Sequence, residues 1–265
     1  MGKKIIFSNS YSPRTGHNFA AEVFKVFVNA EVLTHQRSET RLTAVLEAYY
    51  SIYDRRIYHE TDKAFFDHLF INNLRINIVN KSSKEFIIIK DTSFEGVEHI
   101  KRVFPEDVQI LLIRDPLSVL VSGFKSMRLN KKGLKSKLKK IGFYVGIYPL
   151  YYALVVSYKQ LQTMPNLDHF NVIKYENLVL KDDRTLLKLK TILSSEKSLE
   201  EIKKGISEIE VINTSFTNET GTKKIWEAKK VTEKFNPINR KGHNILIRTA
   251  LKIGSYSLRK KLGYV

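Results

Sequence analysis

Cysteine is absent from this 265-residue chain. Its absence excludes disulfides, thiolate metal sites and thiol nucleophiles, and leaves the compartment open. A stretch of about 20 apolar residues, as a membrane span needs, is also missing. The longest near-apolar run, residues 141–156, is shorter, contains Pro149 and is rich in tyrosine. No G-x-x-x-x-G-K-[ST] occurs, which argues against an ATP- or GTP-hydrolysing P-loop. Helix-turn-helix, RNP-like and zinc-type spacings are lacking too, as is a cluster with metal-ligand spacing. Met1-Gly2-Lys3-Lys4 runs straight into the first apolar segment. No signal peptide is therefore expected, and a cytoplasmic protein is. Position 6 is neither Ser nor Thr, which argues against myristoylation of Gly2. Acidic residues are few beside basic ones, 27 against 45, for a formal charge of +18. That balance implies anionic company: nucleic acid, an acidic membrane face, an anionic polymer or a highly charged cofactor.

What is present reads as alternating strands and helices. Ile5-Ile6-Phe7, residues 85–90, 108–114 and 170–175 are short apolar runs of the buried parallel-strand kind. Helical periodicity covers residues 18–28, 41–53, 64–79, 184–193, 198–210 and 245–262, and the stretch 214–242 reads as loop. Without repeats or a linker, the expectation is one α/β domain over residues 1–265, a three-layer sandwich with a central parallel sheet flanked by helices. Residues 131–140 hold six lysines ahead of the apolar run 141–156. The preferred reading is a buried core helix after a solvated basic loop; the alternative is a membrane-surface or lipid-acceptor site.

Two places carry chemistry. Ser12-Pro13-Arg14-Thr15-Gly16-His17-Asn18-Phe19 lies between the first strand and the first helix. Loops there grip phosphates because backbone N–H groups and the helix dipole both favour an anion. Arg114-Asp115-Pro116 ends a strand, with Ser122 eight residues after the arginine. An arginine at the carboxyl edge of the sheet, joined by a hydroxyl, makes a charge-assisted phosphate site. Alone, Arg114-Asp115 also reads as a salt-bridged strand end.

Together the two resemble the sulfotransferase family that uses 3'-phosphoadenosine 5'-phosphosulfate (PAPS). The loop Pro13-Arg14-Thr15-Gly16 is similar to that family's phosphosulfate loop, and Arg114 through Ser122 to its 3'-phosphate helix. Tyr175-Glu176-Asn177-Leu178 and Arg240-Lys241-Gly242 resemble two later elements, in the family's order. The resemblance implies the P-loop-like sulfotransferase fold and in-line sulfuryl transfer from PAPS, without a metal, to a hydroxyl or amine. The implied nucleotide contacts are Arg14, Thr15, Gly16, His17, Asn18, Phe19, Arg114, Ser122, Tyr175, Arg240, Lys241 and Gly242. His17-Asn18 departs from the family, which usually has hydroxyls after the loop glycine. A charged His17 would strengthen the anion site and favour binding at lower pH; otherwise His17 only caps the helix.

Arg14 would stabilise charge on the oxygen between sulfur and leaving phosphate. For the base that takes the acceptor proton, the family context of Ser38-Glu39-Thr40-Arg41 points first to Glu39. His35 is the runner-up; His59, Glu60 and Asp91 follow. Lys90 is a further candidate for touching the phosphosulfate or acceptor. The basic charge favours an anionic acceptor, a glycan or a glycolipid, with peripheral membrane contact as an option. The competing readings are a basic nucleic-acid-binding protein and a degenerate P-loop kinase.

Overall fold

The computed structural model of the chain describes residues 2–33, 39–53, 59–125, 134–213, 227–229 and 243–265. In chain order the elements begin with β1 (Lys4–Ser10), α1 (His17–Phe27), β2 (Ala30–Val32), α2 (Leu42–Tyr53), α3 (Glu60–Phe70) and α4 (Leu74–Val79). Next come β3 (Phe86–Asp91), α5 (Val97–Val103), β4 (Val108–Ile113), α6 (Pro116–Lys125), α7 (Leu134–Tyr144) and α8 (Ile147–Gln162). The remainder are β5 (Asn171–Lys174), α9 (Tyr175–Leu180), α10 (Asp183–Leu193), α11 (Leu199–Glu208), β6 (Val211–Asn213), β7 (Glu227–Lys229), α12 (Ile245–Gly254) and α13 (Tyr256–Lys261). The chain divides into two units.

The first unit comprises Met1–Tyr11, Gly16–Leu112 and Met164–Ile209. Its centre is a five-stranded sheet in the order β2-β3-β1-β4-β5. β1 pairs in parallel with both β3 and β4, and β3 with β2. Ile5, Ile6 and Phe7 are all buried, because a central parallel strand is covered on both faces. Ile5 and Phe7 of β1 with Ile87 and Ile89 of β3 pack under Leu46 and Tyr50 of α2, Ile100 of α5 and Phe104 just after it. Each such side chain contributes about 1.5–3 kcal/mol relative to exposure. The register sets Ser8 beside Lys90 and Asn9 beside Asp91. The carboxyl ends of β1 and β3 therefore finish together, where ligands bind in open α/β sheets.

The second unit comprises Ser12–Thr15, Ile113–Thr163 and Glu210–Val265. Its core joins Leu120, Val121 and Phe124 of α6 to Phe143 of α7, Ala153 of α8 and Ile247 and Leu251 of α12. A Cβ on Gly254 would come within 2.6 Å of the Ala153 Cβ, so α12 and α8 cross at a glycine. β6 and β7 form a separate antiparallel pair.

Three local readings change. The periodic segment 64–79 is two helices: the Asn72 amide turns back to the Asp67 carbonyl at 2.8 Å and ends α3. The terminal segment is likewise two helices, broken at Ser255, whose hydroxyl bonds the Leu251 carbonyl at 2.7 Å. The run 141–156 is not one buried helix. Gly146, at φ +88°, divides it, and α8 buries only a narrow face containing Pro149, Ala153 and Ser157. Among the described residues no helix is long and apolar enough to cross a membrane.

Candidate active site

Gly16 begins the site in the first unit. It is the N-cap of α1 at φ +101°, a conformation that glycine adopts readily. A Cβ there would lie 2.2 Å from Cε2 of Tyr175. The position therefore admits glycine on two counts, backbone and space. Tyr175 opens α9, is buried, and meets Phe19 edge-on at 5.8 Å between ring centroids. The Tyr175 ring backs Gly16, and α9 is itself anchored: Asn177 Nδ2 donates to Thr185 Oγ1 at 3.0 Å.

His17 and Asn18 fill the first turn of α1; Asn18 meets Lys90 of β3, and His17 meets Glu39 of the segment before α2. Lys90, only 1% exposed, donates from Nζ to Asn18 Oδ1 at 2.8 Å. Burial pushes the Lys90 ammonium down to about 8, with nearby Glu22 and Glu39 opposing the shift. His17 Nε2 stands 4.0 Å from Glu39 Oε1. The other oxygen, Oε2, accepts the Thr92 hydroxyl at 2.5 Å. The Thr40 amide bonds the Lys90 carbonyl at 3.2 Å, which holds the Glu39 segment against the end of β3. Glu39, His17, Asn18 and Lys90 thus gather at one helix N-terminus. The cluster can bind an anion through its cation and helix dipole, and can accept a proton at Glu39.

Asp91 is engaged elsewhere. Its Oδ2 accepts the Thr43 hydroxyl at 2.8 Å and the Thr43 amide at 3.3 Å, and its Oδ1 accepts the Thr92 amide at 2.7 Å. This carboxylate anchors the first turn of α2. His59 and Glu60 stand at the exposed start of α3, with His59 as its N-cap. His35 lies outside the described residues, as do Arg240, Lys241 and Gly242.

The second unit holds the other candidates. Arg14 adopts φ +75°, a strained conformation for a residue with a Cβ. Arg114 Nη1 donates to the Arg14 carbonyl at 2.9 Å and steadies that peptide. Thr15 is fully buried, and its hydroxyl closes the turn on the Ser12 carbonyl at 2.6 Å. Burial lowers the Arg14 guanidinium from its usual range. Asp115 accepts the Leu117 amide at 3.0 Å and Arg259 Nε at 2.9 Å. Asp115 thus forms a salt bridge with Arg259 of α13. Ser122 is buried on α6.

Sequence reasoning did not find Thr92 as the partner of Glu39, or Asn18 as the partner of Lys90. The pairs are separated by 53 and 72 positions, and no local pattern connects them.

No curated protein matches the chain. Solved structures show low similarity. A mouse sulfotransferase complexed with PAP, the desulfated product of PAPS, is 16% identical at TM-score 0.42, over 76% of this chain and 62% of that one. The chain thus spans less than two thirds of that protein. A sulfotransferase domain from the curacin biosynthetic pathway is 13% identical at TM-score 0.45, over 100% and 99% of the two chains. Retinol dehydratase in complex with androsterone and PAP is 13% identical at TM-score 0.40, over 99% and 81%. The model of the sulfotransferase family matches residues 13–196, from the loop before α1 to the residues after α10. That match takes in well over half of the sequence, and the chain belongs to the sulfotransferase family.

Proposed function

We propose that the protein transfers a sulfuryl group from PAPS to a hydroxyl or amine of an acceptor. The observation that carries this reading is the meeting of Lys90, Asn18, His17 and Glu39 at the N-terminus of α1. Sulfuryl transfer, like phosphoryl transfer, needs alignment and charge stabilisation more than covalent help. In the proposed step the acceptor oxygen or nitrogen attacks sulfur while the bond from sulfur to the phosphate oxygen breaks. The acceptor proton passes to a Glu39 carboxylate oxygen. The leaving phosphate takes the bonding pair; Arg14 is the residue proposed to stabilise the charge growing on it, and Lys90 is proposed to touch the phosphosulfate or the acceptor.

Other residues orient. Thr92 fixes one Glu39 oxygen and leaves the oxygen beside His17 for the proton. Gly16 exposes the first amides of α1 to the 5'-phosphate. Arg114 and Ser122, with the family's helix, would take the 3'-phosphate. Asp91 is less suited to act as base, because its oxygens accept bonds that hold α2 and Thr92. For the acceptor, the charge of +18 favours an anionic glycan or glycolipid, met in the cytoplasm or at its membrane face.

The test is transfer of labelled sulfate from PAPS to a panel of glycans, glycolipids, tyrosyl peptides and phenols. Labelling of one acceptor class by the wild type, lost in Arg14→Ala, supports the reading. A folded wild type that labels nothing across the panel opposes it.

A further inference from the structure

The face of α8 turned away from its core carries a stripe of large apolar side chains. Ile147, Tyr151, Leu154 and Tyr158 are 69%, 66%, 51% and 63% exposed. Their spacing of i, i+4, i+7 and i+11 puts them on one line along the helix, about 16 Å long at the usual rise. The buried residues Pro149, Ala153 and Ser157 lie on a different face. The stripe is prepared by α7, where Leu138 and Ile141, followed by Val145, are also half or more exposed at i, i+3 and i+7. Solvent-facing rows of aliphatic and tyrosine side chains are uncommon on a free surface and mark contact sites.

The flanking sequence carries charge of one sign. No Asp or Glu occurs between Pro116 and Leu167, and none after Glu233. Lys137, Lys140 and Lys159 flank the stripe on α7 and α8, and Arg248, Lys252, Lys260 and Lys261 follow on α12 and α13, with Arg248, Lys252 and both terminal lysines exposed. Another exposed apolar group, Phe65, Leu69 and Phe70 on α3, is set among charges of both signs, Glu60, Asp62, Lys63 and Asp67. That helix lacks the same complementarity.

We infer that α7 and α8 form a docking surface for an anionic lipid bilayer, with the stripe entering the headgroup region and the lysines meeting lipid phosphates. Tyrosine suits this depth because its ring is apolar and its hydroxyl stays wet. Lysine stems cover apolar surface while their ammonium groups reach outward. The apolar stripe and basic surround are the two features of interfacial helices. A second copy of the chain would bring like charges together on this face. The inference goes beyond sulfuryl transfer and does not depend on it.

The experiment is sedimentation of the full chain with vesicles of pure phosphatidylcholine and with vesicles containing phosphatidylglycerol. Wild type should pellet with the anionic vesicles and stay in solution with the neutral ones. Tyr151→Ser combined with Leu154→Ser should lose most of the binding. Lys137→Glu and Lys140→Glu should each weaken it about fivefold or more, as expected for a basic residue near an anionic surface. All four side chains are exposed, and thermal melting followed by circular dichroism reports whether each variant folds. Wild type that ignores anionic vesicles overturns the inference. So does vesicle binding that survives the apolar substitutions, since charge alone would then explain it. Stripe-dependent dimers in velocity sedimentation without vesicle binding, or stripe-dependent binding of RNA instead, also overturn it. A PAP-induced melting shift in the same variants reports the nucleotide reading separately.

Discussion

Glu39 and Lys90, which carry opposite charges near the start of α1, are proposed for opposite tasks. Thr92 holds the carboxylate of one, and Asn18 holds the ammonium of the other. Glu39→Gln should keep PAP binding and lower turnover about 10²- to 10⁴-fold, the usual share of a general base. Retained turnover would move the base to His35. Thr92→Val should act in the same direction but more weakly, lowering kcat with little change in PAP affinity.

Lys90 gives a pH signature. Its ammonium is lowered to about 8 by burial. The folded chain then holds fewer protons at this site than the unfolded chain between about pH 8 and the ordinary lysine value. Stability from this group therefore rises with pH across that window. Replacement by Met should flatten the rise, measured as the difference between wild-type and Lys90→Met denaturation curves. A bound anion favours the charged form, so PAP should bind more weakly as pH climbs past 8. Calorimetry in buffers of different ionisation enthalpy should then show proton uptake on binding.

At the scale of elements, the loop and α1 depend on Gly16. Ala there would force a left-handed conformation and drive its Cβ into the Tyr175 ring. Gly16→Ala should cost about 2 kcal/mol or more, read as a lower midpoint in urea. Pairing it with Tyr175→Ala should recover part of the loss, because the ring is the obstacle. The strands were legible in the sequence because central parallel strands are apolar throughout, as in residues 5–7, 87–89 and 110–113. The helix α1 was legible from its periodic face. β2 was not, since three residues at a sheet edge carry no period. The breaks after Phe70, at Gly146 and at Ser255 were also hidden: apolar periodicity continues across them while the backbone turns. The loop residues of the site, Asn18 among them, were visible as a motif, whereas the pairings of Thr92 with Glu39 and of Asn18 with Lys90 arise only from contacts between distant segments.

For the whole molecule, the formal charge of +18 sets how anions arrive. Capture of a polyanionic nucleotide should slow as ionic strength rises, because salt screens the long-range field. The same charge also accounts for the preference proposed for an anionic acceptor. Family membership rests on residues 13–196, and the identity of the nucleotide is the central claim built on it. Ligand that binds only the folded state stabilises it by about 2.7 kcal/mol at a hundredfold excess over Kd. In a chain of this size that corresponds to a Tm rise of roughly 5–10 °C. The most direct measurement is thermal unfolding with PAP, with adenosine 5'-phosphate and with ATP–magnesium. PAP should raise Tm by this amount and the other two by far less. An unchanged Tm at millimolar PAP, or an equal rise with all three nucleotides, would contradict the account.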